Sequence, residues 1–338
     1  MSNLQLLWFF LIGVLFTGFF FLEGFDLGVG MSVKTLAKNK RERDQIIQTI
    51  GPVWESNLVW LITAGGAMFA SFPEWYASLF SGFYIFLLLV LVGLIIRGVS
   101  FKFRSSSESA RERNIWEWTL CIGSFLTTFF LGMMFVDLVR GMPLDETKNV
   151  MNAGFTDYVN LFSIVGGVAV TLISYLHGLN YLRLKTEGKV RERANAQAKK
   201  LYPVLFVGLV AFAVLSFIDT DFFKERMISS LIILVLIVVF AAMAAYGTYK
   251  DKEGFSFIST GLVFVGVVVF LFNGLFPRVM VATDSKFHLL IENASSTPYT
   301  LKVMTIVTAC LLPIVLIYVL WMYKQFTKRV SVDVLDNY

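Results

Sequence analysis

Two carboxylates, Glu23 and Asp26, interrupt an apolar run that begins near Leu4 and continues to about Val33. A carboxyl group can bind and release a proton, and residues three apart share one face of a helix. An ionised group within hydrocarbon is costly unless it is paired, hydrated or neutralised. The pair therefore indicates either a proton-handling polar pocket inside a membrane or a polar marker at the membrane interface.

Three further polar residues belong to the same layer if the next two apolar runs are antiparallel helices. Glu55 and Asn57 begin the second run, and Arg97 lies late in the third. If the first run enters from outside, Glu23 lies about 28 Å along a helix that rises 1.5 Å per residue. Glu23, Asp26, Glu55, Asn57 and Arg97 are therefore candidate proton-path residues in the cytoplasmic third of the membrane. Arg97 can pair with one carboxylate and leave another to exchange a proton.

The residues that follow Asp26 favour a packed interior over a helix end in water. The stretch from Leu27 to Val33 is largely apolar, so the helix continues beyond the carboxylates. Glycines at positions 24, 28 and 30 permit the close approach of another helix. The alternative, in which the carboxylates reach water at the interface, remains open at this point.

The composition predicts the elements that hold these residues. Hydrophobic residues make up 57% of the chain, charged residues 16%, and the mean hydropathy is +0.70, which excludes an ordinary soluble domain. Runs of about 20 apolar residues suit helices that cross a membrane, and lipid excludes open sheets. The predicted spans are 4–31, 52–71, 76–101, 114–140, 155–182, 200–218, 226–248, 257–276 and 300–323.

The predicted fold is therefore an all-α polytopic membrane protein with nine transmembrane helices. Short connections place sequential helices side by side and antiparallel. We expect one four-helix bundle over residues 1–140, a second over 155–276, a ninth helix over 300–325 and a cytoplasmic tail over 326–338. Longer connections are expected at 140–154, 183–200 and 277–299.

The basic residues alternate along the chain between rich and poor connections. One set of connections holds 21 Lys and Arg residues and the other holds 7, within a net charge of +5. This asymmetry predicts an outside N-terminus and a cytoplasmic C-terminus in the cell membrane. The basic excess is thus a topology signal, compatible with contact to anionic lipid, and we expect no nucleic acid partner. No basic segment precedes the first run, so its helix is expected to be retained.

Histidine and cysteine are scarce. Haem iron usually takes at least one histidine, and this chain has only His177 and His288. We expect His177 to be a hydrogen-bonded core residue and His288 to lie in an outside loop. Cys121 and Cys310 lie within predicted spans without metal-ligand spacing, which is typical of buried apolar residues. The chain alone is expected to hold no haem and no metal.

Sequence blocks along the whole chain resemble one known family, subunit II of the cytochrome bd-type quinol oxidases. Where that family usually has Trp-Asp-Gly-Asn, this chain has Trp54-Glu55-Ser56-Asn57, and Glu23 stands where the first block often begins with Asp. Both changes keep the carboxylate. The blocks are Glu23–Gly30, Gly51–Gly66, Phe72–Pro73, Ser81–Tyr84, Arg97–Arg104 and the LLPIVLIYVLWMYKQF stretch of the last helix.

The resemblance implies a nine-helix subunit in a heterodimer with subunit I, which carries two b-type haems, haem d and the quinol-oxidising loop. The complex would oxidise quinol and reduce oxygen to water with protons from the cytoplasm. Glu23, Asp26 and Glu55 would belong to a proton path toward the haems of the partner. The resemblance also leaves open a structural quinone in this subunit and a small single-helix subunit as a further partner.

Two other classes of function remain compatible with the residues. A proton-coupled secondary transporter also uses intramembrane carboxylates, usually with helices broken near the midplane. Here the prolines lie mostly near the ends of spans, except Pro313, and the acids lie off the midplane. A purely structural scaffold fits every residue. A visible spectrum recorded with and without copurified subunits separates these classes.

Overall fold

The computed structural model describes residues 1–150 and 153–331 of the chain. Helices dominate this part, and the last predicted segment, 326–338, lies partly outside it. The helices are α1 (Asn3–Leu36), α2 (Lys40–Ile50), α3 (Trp54–Ser71), α4 (Pro73–Gly82), α5 (Tyr84–Ser106), α6 (Ala110–Arg140), α7 (Leu161–Lys185), α8 (Gly188–Asp219), α9 (Phe222–Glu225), α10 (Met227–Tyr249), α11 (Glu253–Leu275), α12 (Ile291–Ala294) and α13 (Pro298–Gln325).

Eight helices of the described residues are long and apolar enough to cross a membrane, by length and composition. This confirms a polytopic helical membrane protein. The eight are α1, α5, α6, α7, α8, α10, α11 and α13. The remaining predicted span, 52–71, corresponds to α3, which has 18 residues and carries Glu55 and Asn57 in its first turns. These polar residues lower the hydropathy of α3 relative to the other eight.

Several helix boundaries differ from the predicted ones. The predicted span 76–101 is divided at Phe83 into α4 and α5. The predicted span 155–182 begins later, because residues Phe155–Tyr158 form a 3-10 turn and the side chain of Asn160 caps α7 by accepting from the Ser163 amide at 2.9 Å. The stretch 183–200, predicted to be a long connection, is almost entirely helical, since α8 begins at Gly188.

Helix α1 is the central element, and it packs against α3, α6, α7 and α11. Its contact with α7 is unusually close, because a Cβ atom on Gly28 would lie 1.9 Å from the Ser174 carbonyl oxygen. Gly30 likewise faces the Ser124 side chain of α6, where a Cβ would lie 2.2 Å from the hydroxyl. The glycines after the carboxylates thus permit the helix contacts that bury this part of α1.

Helix α13 lies at the edge of the molecule against α1 and α3. In the N-terminal part of α13, Trp8 Nε1 of α1 donates to the Thr305 hydroxyl at 3.0 Å. Toward the other end, the Tyr323 hydroxyl donates to Asn57 Oδ1 of α3 at 2.5 Å. The chain beyond α13 then crosses to α7, where the Val330 amide donates to the Lys185 carbonyl at 2.8 Å.

The long connection after α11 contains the two strands of the described residues. Strands β1 (Arg278–Met280) and β2 (Leu289–Leu290) pair antiparallel, so this connection is a hairpin within an otherwise helical fold. Arg278 forms a bidentate ion pair with Asp221, which precedes α9. The hairpin is thereby attached to the α8–α10 connection.

Candidate functional site

Arg97 of α5 contacts both carboxylates of α1. Its Nη1 atom lies 2.9 Å from Glu23 Oε1, and its Nη2 atom donates to Asp26 Oδ1. All three side chains are completely buried. The three-residue spacing of Glu23 and Asp26 presents both carboxylates to the same guanidinium, whereas one pair with one free acid was expected.

Asn57 of α3 completes the contacts of Asp26. Its Nδ2 atom donates to Asp26 Oδ2 at 3.2 Å and approaches the Leu22 carbonyl at 3.3 Å. Its Oδ1 atom accepts from Tyr323 of α13. Four helices therefore supply the cluster of Glu23, Asp26, Asn57, Arg97 and Tyr323, which we call the acid cluster.

Two aromatic side chains cover the guanidinium on its remaining side. The Trp54 and Phe101 rings stack with centroids 4.9 Å apart, and the Arg97 guanidinium carbon lies 5.8 Å and 5.5 Å from their centroids. Such contacts stabilise a cation that has lost its water. The two rings, from α3 and α5, thus pack beside the guanidinium of the acid cluster.

The charges of the acid cluster do not balance when both acids are ionised. Two carboxyl groups share one guanidinium, and Glu23 Oε2 is buried without a hydrogen-bond partner. A buried charge without compensation is costly, so a proton on one carboxyl group stabilises the cluster. Chemically, the arrangement can take up one proton and release it again.

Glu55 lies outside the acid cluster. Its side chain is exposed, and it makes no polar contact among those of the described residues. Glu55 and Asn57 are two positions apart on a helix, so they point in nearly opposite directions and only Asn57 reaches Asp26. Glu55 instead borders a cleft of about 370 Å³ between α3 and α13, with Pro52, Ser56, Trp60, Tyr318 and Met322 among its lining residues.

A second buried polar cluster, which the sequence analysis missed, surrounds Arg183 of α7. Its Nη1 atom donates to Asn180 Oδ1, Thr248 Oγ1 and Ser256 Oγ at 3.0–3.1 Å. Asn180 Nδ2 in turn donates to the Tyr202 hydroxyl at 2.8 Å. Neutral oxygens supply the hydrogen bonds of Nη1, and the carboxylate of Asp251 lies 3.6 Å from Nη2. The polar residues Asn180 and Arg183 near the end of an apolar run were the available signal.

A network of ion pairs, which the sequence analysis also missed, lies where α1 and α5 end and α2 and α6 begin. Glu117 lies 3.0 Å from both Lys34 Nζ and Arg43 Nε, and 3.1 Å from Arg104 Nη2. Nearby, Glu42 of α2 pairs with Arg193 at 2.6 Å. Burial opposes ionisation of Glu42, but hydrogen bonds from the Lys38 amide and the Arg193 guanidinium lower its pKa below the ordinary value.

Both histidines are engaged within the protein. His177 is completely buried, its Nε2 atom lies 3.0 Å from the Phe21 carbonyl oxygen, and its ring stacks on Phe257 at 4.5 Å. His288 lies in the hairpin, where its Nδ1 atom accepts from the Ala282 amide at 3.0 Å. Among the described residues, no group of three or more His, Cys, Asp or Glu side chains is arranged to hold a metal ion.

Comparison with known proteins agrees with the resemblance. The family model described as cytochrome bd terminal oxidase subunit II matches residues 4–326. The chain is 46% identical over 332 residues to cytochrome bd ubiquinol oxidase subunit 2 of Bacillus subtilis (strain 168), with 98% of each chain covered. It is 34% identical over 367 residues to cytochrome bd-I ubiquinol oxidase subunit 2 of Escherichia coli (strain K12), with 99% of this chain and 97% of the other covered.

A solved structure supplies a likeness in fold. A chain of the bd oxidase from Geobacillus thermodenitrificans superimposes with a TM-score of 0.75 at 16% sequence identity, over 96% of this chain and 99% of that one. At this identity the likeness concerns the fold alone. The family match and the two relatives cover nearly the whole sequence. The chain therefore belongs to the family of cytochrome bd terminal oxidase subunit II.

Proposed function

We propose that this chain is the subunit of a quinol oxidase that supports a haem-bearing subunit I, and that its acid cluster belongs to a cytoplasmic proton path. The observation that carries the second part is the pair of completely buried carboxyl groups held by the single guanidinium of Arg97. Family membership carries the first part, because the relatives named above are subunits of ubiquinol oxidases.

The proposed chemistry of the chain is proton handling. Oxygen reduction to water consumes protons, and the haems supply the electron transfer and the oxygen chemistry. In this chain, Asp26 is held by Arg97 and Asn57, while Glu23 keeps one oxygen without a donor. A proton that arrives from the cytoplasm would be held on a carboxyl group of the cluster and then passed toward the partner subunit. During this proton exchange, the guanidinium of Arg97 compensates the charge of the carboxylate that stays ionised.

Glu55 is proposed as an entry group of this path. Its exposed carboxylate borders the cleft between α3 and α13, and Asn57, two residues further on, contacts Asp26. Water in such a cleft would connect Glu55 with the face of α3 that bears the acid cluster. The proposed proton path thus contains all five candidate residues, Glu23, Asp26, Glu55, Asn57 and Arg97. Glu55 lies apart from the other four.

We place the haems, two of b type and one of d type, in the partner subunit. Neither histidine of this chain suits an axial ligand, since His177 Nε2 is engaged with the Phe21 carbonyl and His288 is held between Ala282 and Arg278. Replacement of His177 by alanine should leave all three haem bands of the complex in place. Loss of one band from an assembled complex would contradict this assignment.

We further propose nine spans, with α3 as the ninth, and two bundles over 1–140 and 155–276. At 1.5 Å per residue, 18 residues extend about 27 Å, close to the hydrocarbon thickness. The pairing of α5 with α6 and of α10 with α11 supports the two bundles. With nine spans, the basic connections would face the cytoplasm together with the C-terminus, and the N-terminus would lie outside.

The proposed partners are subunit I, quinol as the substrate of the complex, membrane lipid and a small single-helix subunit. A structural quinone in this chain stays a prediction. A cleft of about 430 Å³ between α1, α3 and α13 is lined by apolar side chains that include Trp8, Leu15 and Trp60. Such a cleft suits the isoprenoid tail of a quinone. Extraction of the purified complex and analysis of bound quinone by mass would test this point.

The two other classes of function are less well supported. A proton-coupled transporter is not favoured by the family, whose named members are oxidase subunits. A structural scaffold would share every contact of the acid cluster but would not exchange protons. The scaffold and the proton path therefore differ in one measurable property, which is proton uptake during turnover.

The Asp26→Asn variant tests the proposal, because asparagine nearly keeps the shape of aspartate but cannot carry the proton. The complete oxidase complex is purified, its haem bands are recorded, and quinol-driven proton uptake from the inside of vesicles is measured. We expect normal haem bands with uptake slowed about a hundredfold or more, the lower end of what a positioned proton-transfer group contributes. Unchanged uptake in an assembled complex would reject the proton path and leave a structural role.

A further inference from the structure

The acid cluster includes one residue that comes from the last helix and is not a carboxyl group. Tyr323 lies on α13, which otherwise packs along the edge of the molecule against α1 and α3. Its hydroxyl group donates to Asn57 Oδ1 at 2.5 Å. A helix at the edge is thus joined by a short hydrogen bond to the buried centre of α1 and α3.

Asn57 has one orientation in which all of its polar atoms are satisfied. Its Nδ2 atom faces two acceptors, the Asp26 carboxylate and the Leu22 carbonyl, and its Oδ1 atom faces the Tyr323 hydroxyl. Asn57 is 99% buried, so no water replaces a lost partner. Without the Tyr323 hydroxyl, Oδ1 would be an unpaired buried acceptor, and the amide would lose the bond that opposes its rotation.

We propose that Tyr323 is a positioning residue of the proton path, whose hydroxyl holds the Asn57 amide so that its NH2 group donates to Asp26. The inference rests on the proposed function and adds a residue to it. Tyr323 reaches Asp26 only through Asn57, and the half-buried tyrosine lies on the helix that forms the Glu55 cleft. Helix α13 thereby controls how Asp26 is held.

The chain offers a matched control on the same helix. Tyr299 lies in the first turn of α13, its side chain is exposed, and its hydroxyl makes no hydrogen bond among those of the described residues. Tyr323→Phe and Tyr299→Phe therefore remove the same atom from the same helix, and only the first removes a contact to Asn57.

The test uses the complete oxidase complex. We expect Tyr323→Phe to assemble with normal haem bands and to slow quinol-driven proton uptake about fivefold, the scale of one lost hydrogen bond. The infrared band that disappears in Asp26→Asn is assigned to the Asp26 carboxyl group. This band should shift in frequency in Tyr323→Phe. Tyr299→Phe should change neither property. In an Asn57→Ala background, Tyr323→Phe should have no further effect, because the two residues act in series.

The outcomes separate this inference from the proposed function. If Asp26→Asn slows uptake while Tyr323→Phe leaves uptake and the carboxyl band unchanged, the inference is wrong and the proton path stands. If Asp26→Asn has no effect on uptake, the path fails and the inference fails with it.

Tyr323→His keeps an aromatic ring, but its ring N–H lies closer to the backbone than the tyrosine hydroxyl, so this variant should also disturb the bond to Asn57 and slow proton uptake. If Tyr323→Phe does not assemble and Tyr323→His does, the Asp26 carboxyl band of Tyr323→His tests the inference. A displaced band supports the inference, because the imidazole alters the bond to Asn57, and a band identical to that of the unmodified complex rejects it.

Discussion

Gly28 of α1 and Gly178 of α7 lie in backbone contact. A Cβ atom on Gly178 would lie 2.4 Å from the carbonyl carbon of Gly28 and 2.5 Å from the Val29 nitrogen. Backbone atoms cannot move aside as a flexible side chain can, so the two helices can approach this closely only if both positions are glycine. This contact joins the two halves of the chain at the level just below Asp26.

The first prediction concerns this contact. Gly28→Ala should separate α1 from α7, because its Cβ would overlap the Ser174 carbonyl oxygen. The expected cost is at least about 1–3 kcal/mol, as for overpacked cores, and should appear as a lower yield of assembled complex and a lower thermal midpoint. Gly65→Ala is the control, since a Cβ there meets no atom within 4 Å. Equal yields and midpoints for the two variants would contradict the close contact.

The second prediction concerns the charge of the acid cluster. Arg97→Gln leaves Glu23 and Asp26 without their cation, and breaking a buried ion pair in this way costs about 3–5 kcal/mol. The complex should therefore assemble poorly. Adding Asp26→Asn to Arg97→Gln removes one of the stranded acids and should restore part of the yield.

The yield of assembled complex, read from the haem bands, measures both variants. Addition of Glu55→Gln to Arg97→Gln is the matched control, because Glu55 lies outside the acid cluster. Rescue by Glu55→Gln, or no rescue by Asp26→Asn, would mean that Arg97 is not the cation of Asp26.

The third prediction concerns Glu55. Glu55→Gln removes an exchangeable proton from an exposed side chain, so stability and haem bands should be unchanged, while proton uptake and quinol-driven oxygen consumption should slow severalfold. Glu74→Gln, which changes an acid in the first turn of α4, serves as the control. If turnover and uptake in Glu55→Gln match those of the unmodified complex while Glu55→Leu fails to assemble, Glu55 is a packing or partner-binding residue.

The sequence could predict which helices carry the acid cluster but not its full membership. Glu23, Asp26 and Arg97 were found because charged residues in apolar runs are conspicuous and because depth along antiparallel helices can be counted. Depth does not define the direction in which a side chain points, so Glu55 was grouped with Asn57. Tyr323 was missed because it is 266 positions from Asn57. A tyrosine near the end of an apolar helix also looks like an ordinary interfacial residue.

For helix boundaries, too, the sequence predicts what is local and misses what depends on particular contacts. The apolar runs predicted eight spans well, because their length and composition are local properties. The break at Phe83 lies inside an apolar run and no proline marks it, and the start of α7 depends on a side-chain hydrogen bond of Asn160. The ion-pair network around Glu117 joins residues from α1, α2, α5 and α6, and such pairings follow only from the packed structure.

The last prediction is a pH dependence of the hairpin formed by β1 and β2. Burial and then the neighbouring Arg278 guanidinium hold the pKa of His288 below its ordinary value, although Asp221 and Asp284 act in the opposite direction. Neutral His288 accepts the Ala282 amide proton on Nδ1. A depressed histidine pKa favours the folded hairpin fully above the unfolded pKa of about 6.5. This stabilisation is lost as the pH falls from there through the lower folded pKa.

Hydrogen exchange of the Ala282 amide measures this effect in the assembled complex. After correction for intrinsic exchange, protection at about pH 5.5 should be several times weaker than at about pH 7.5, across the ordinary histidine pKa. In His288→Gln, an amide oxygen can accept the same proton at either pH, so the difference in protection should disappear. The Arg278–Asp221 ion pair is present in both proteins and titrates at lower pH, because Arg278 lowers the pKa of Asp221. An unchanged pH dependence in His288→Gln would assign the effect to a group other than His288.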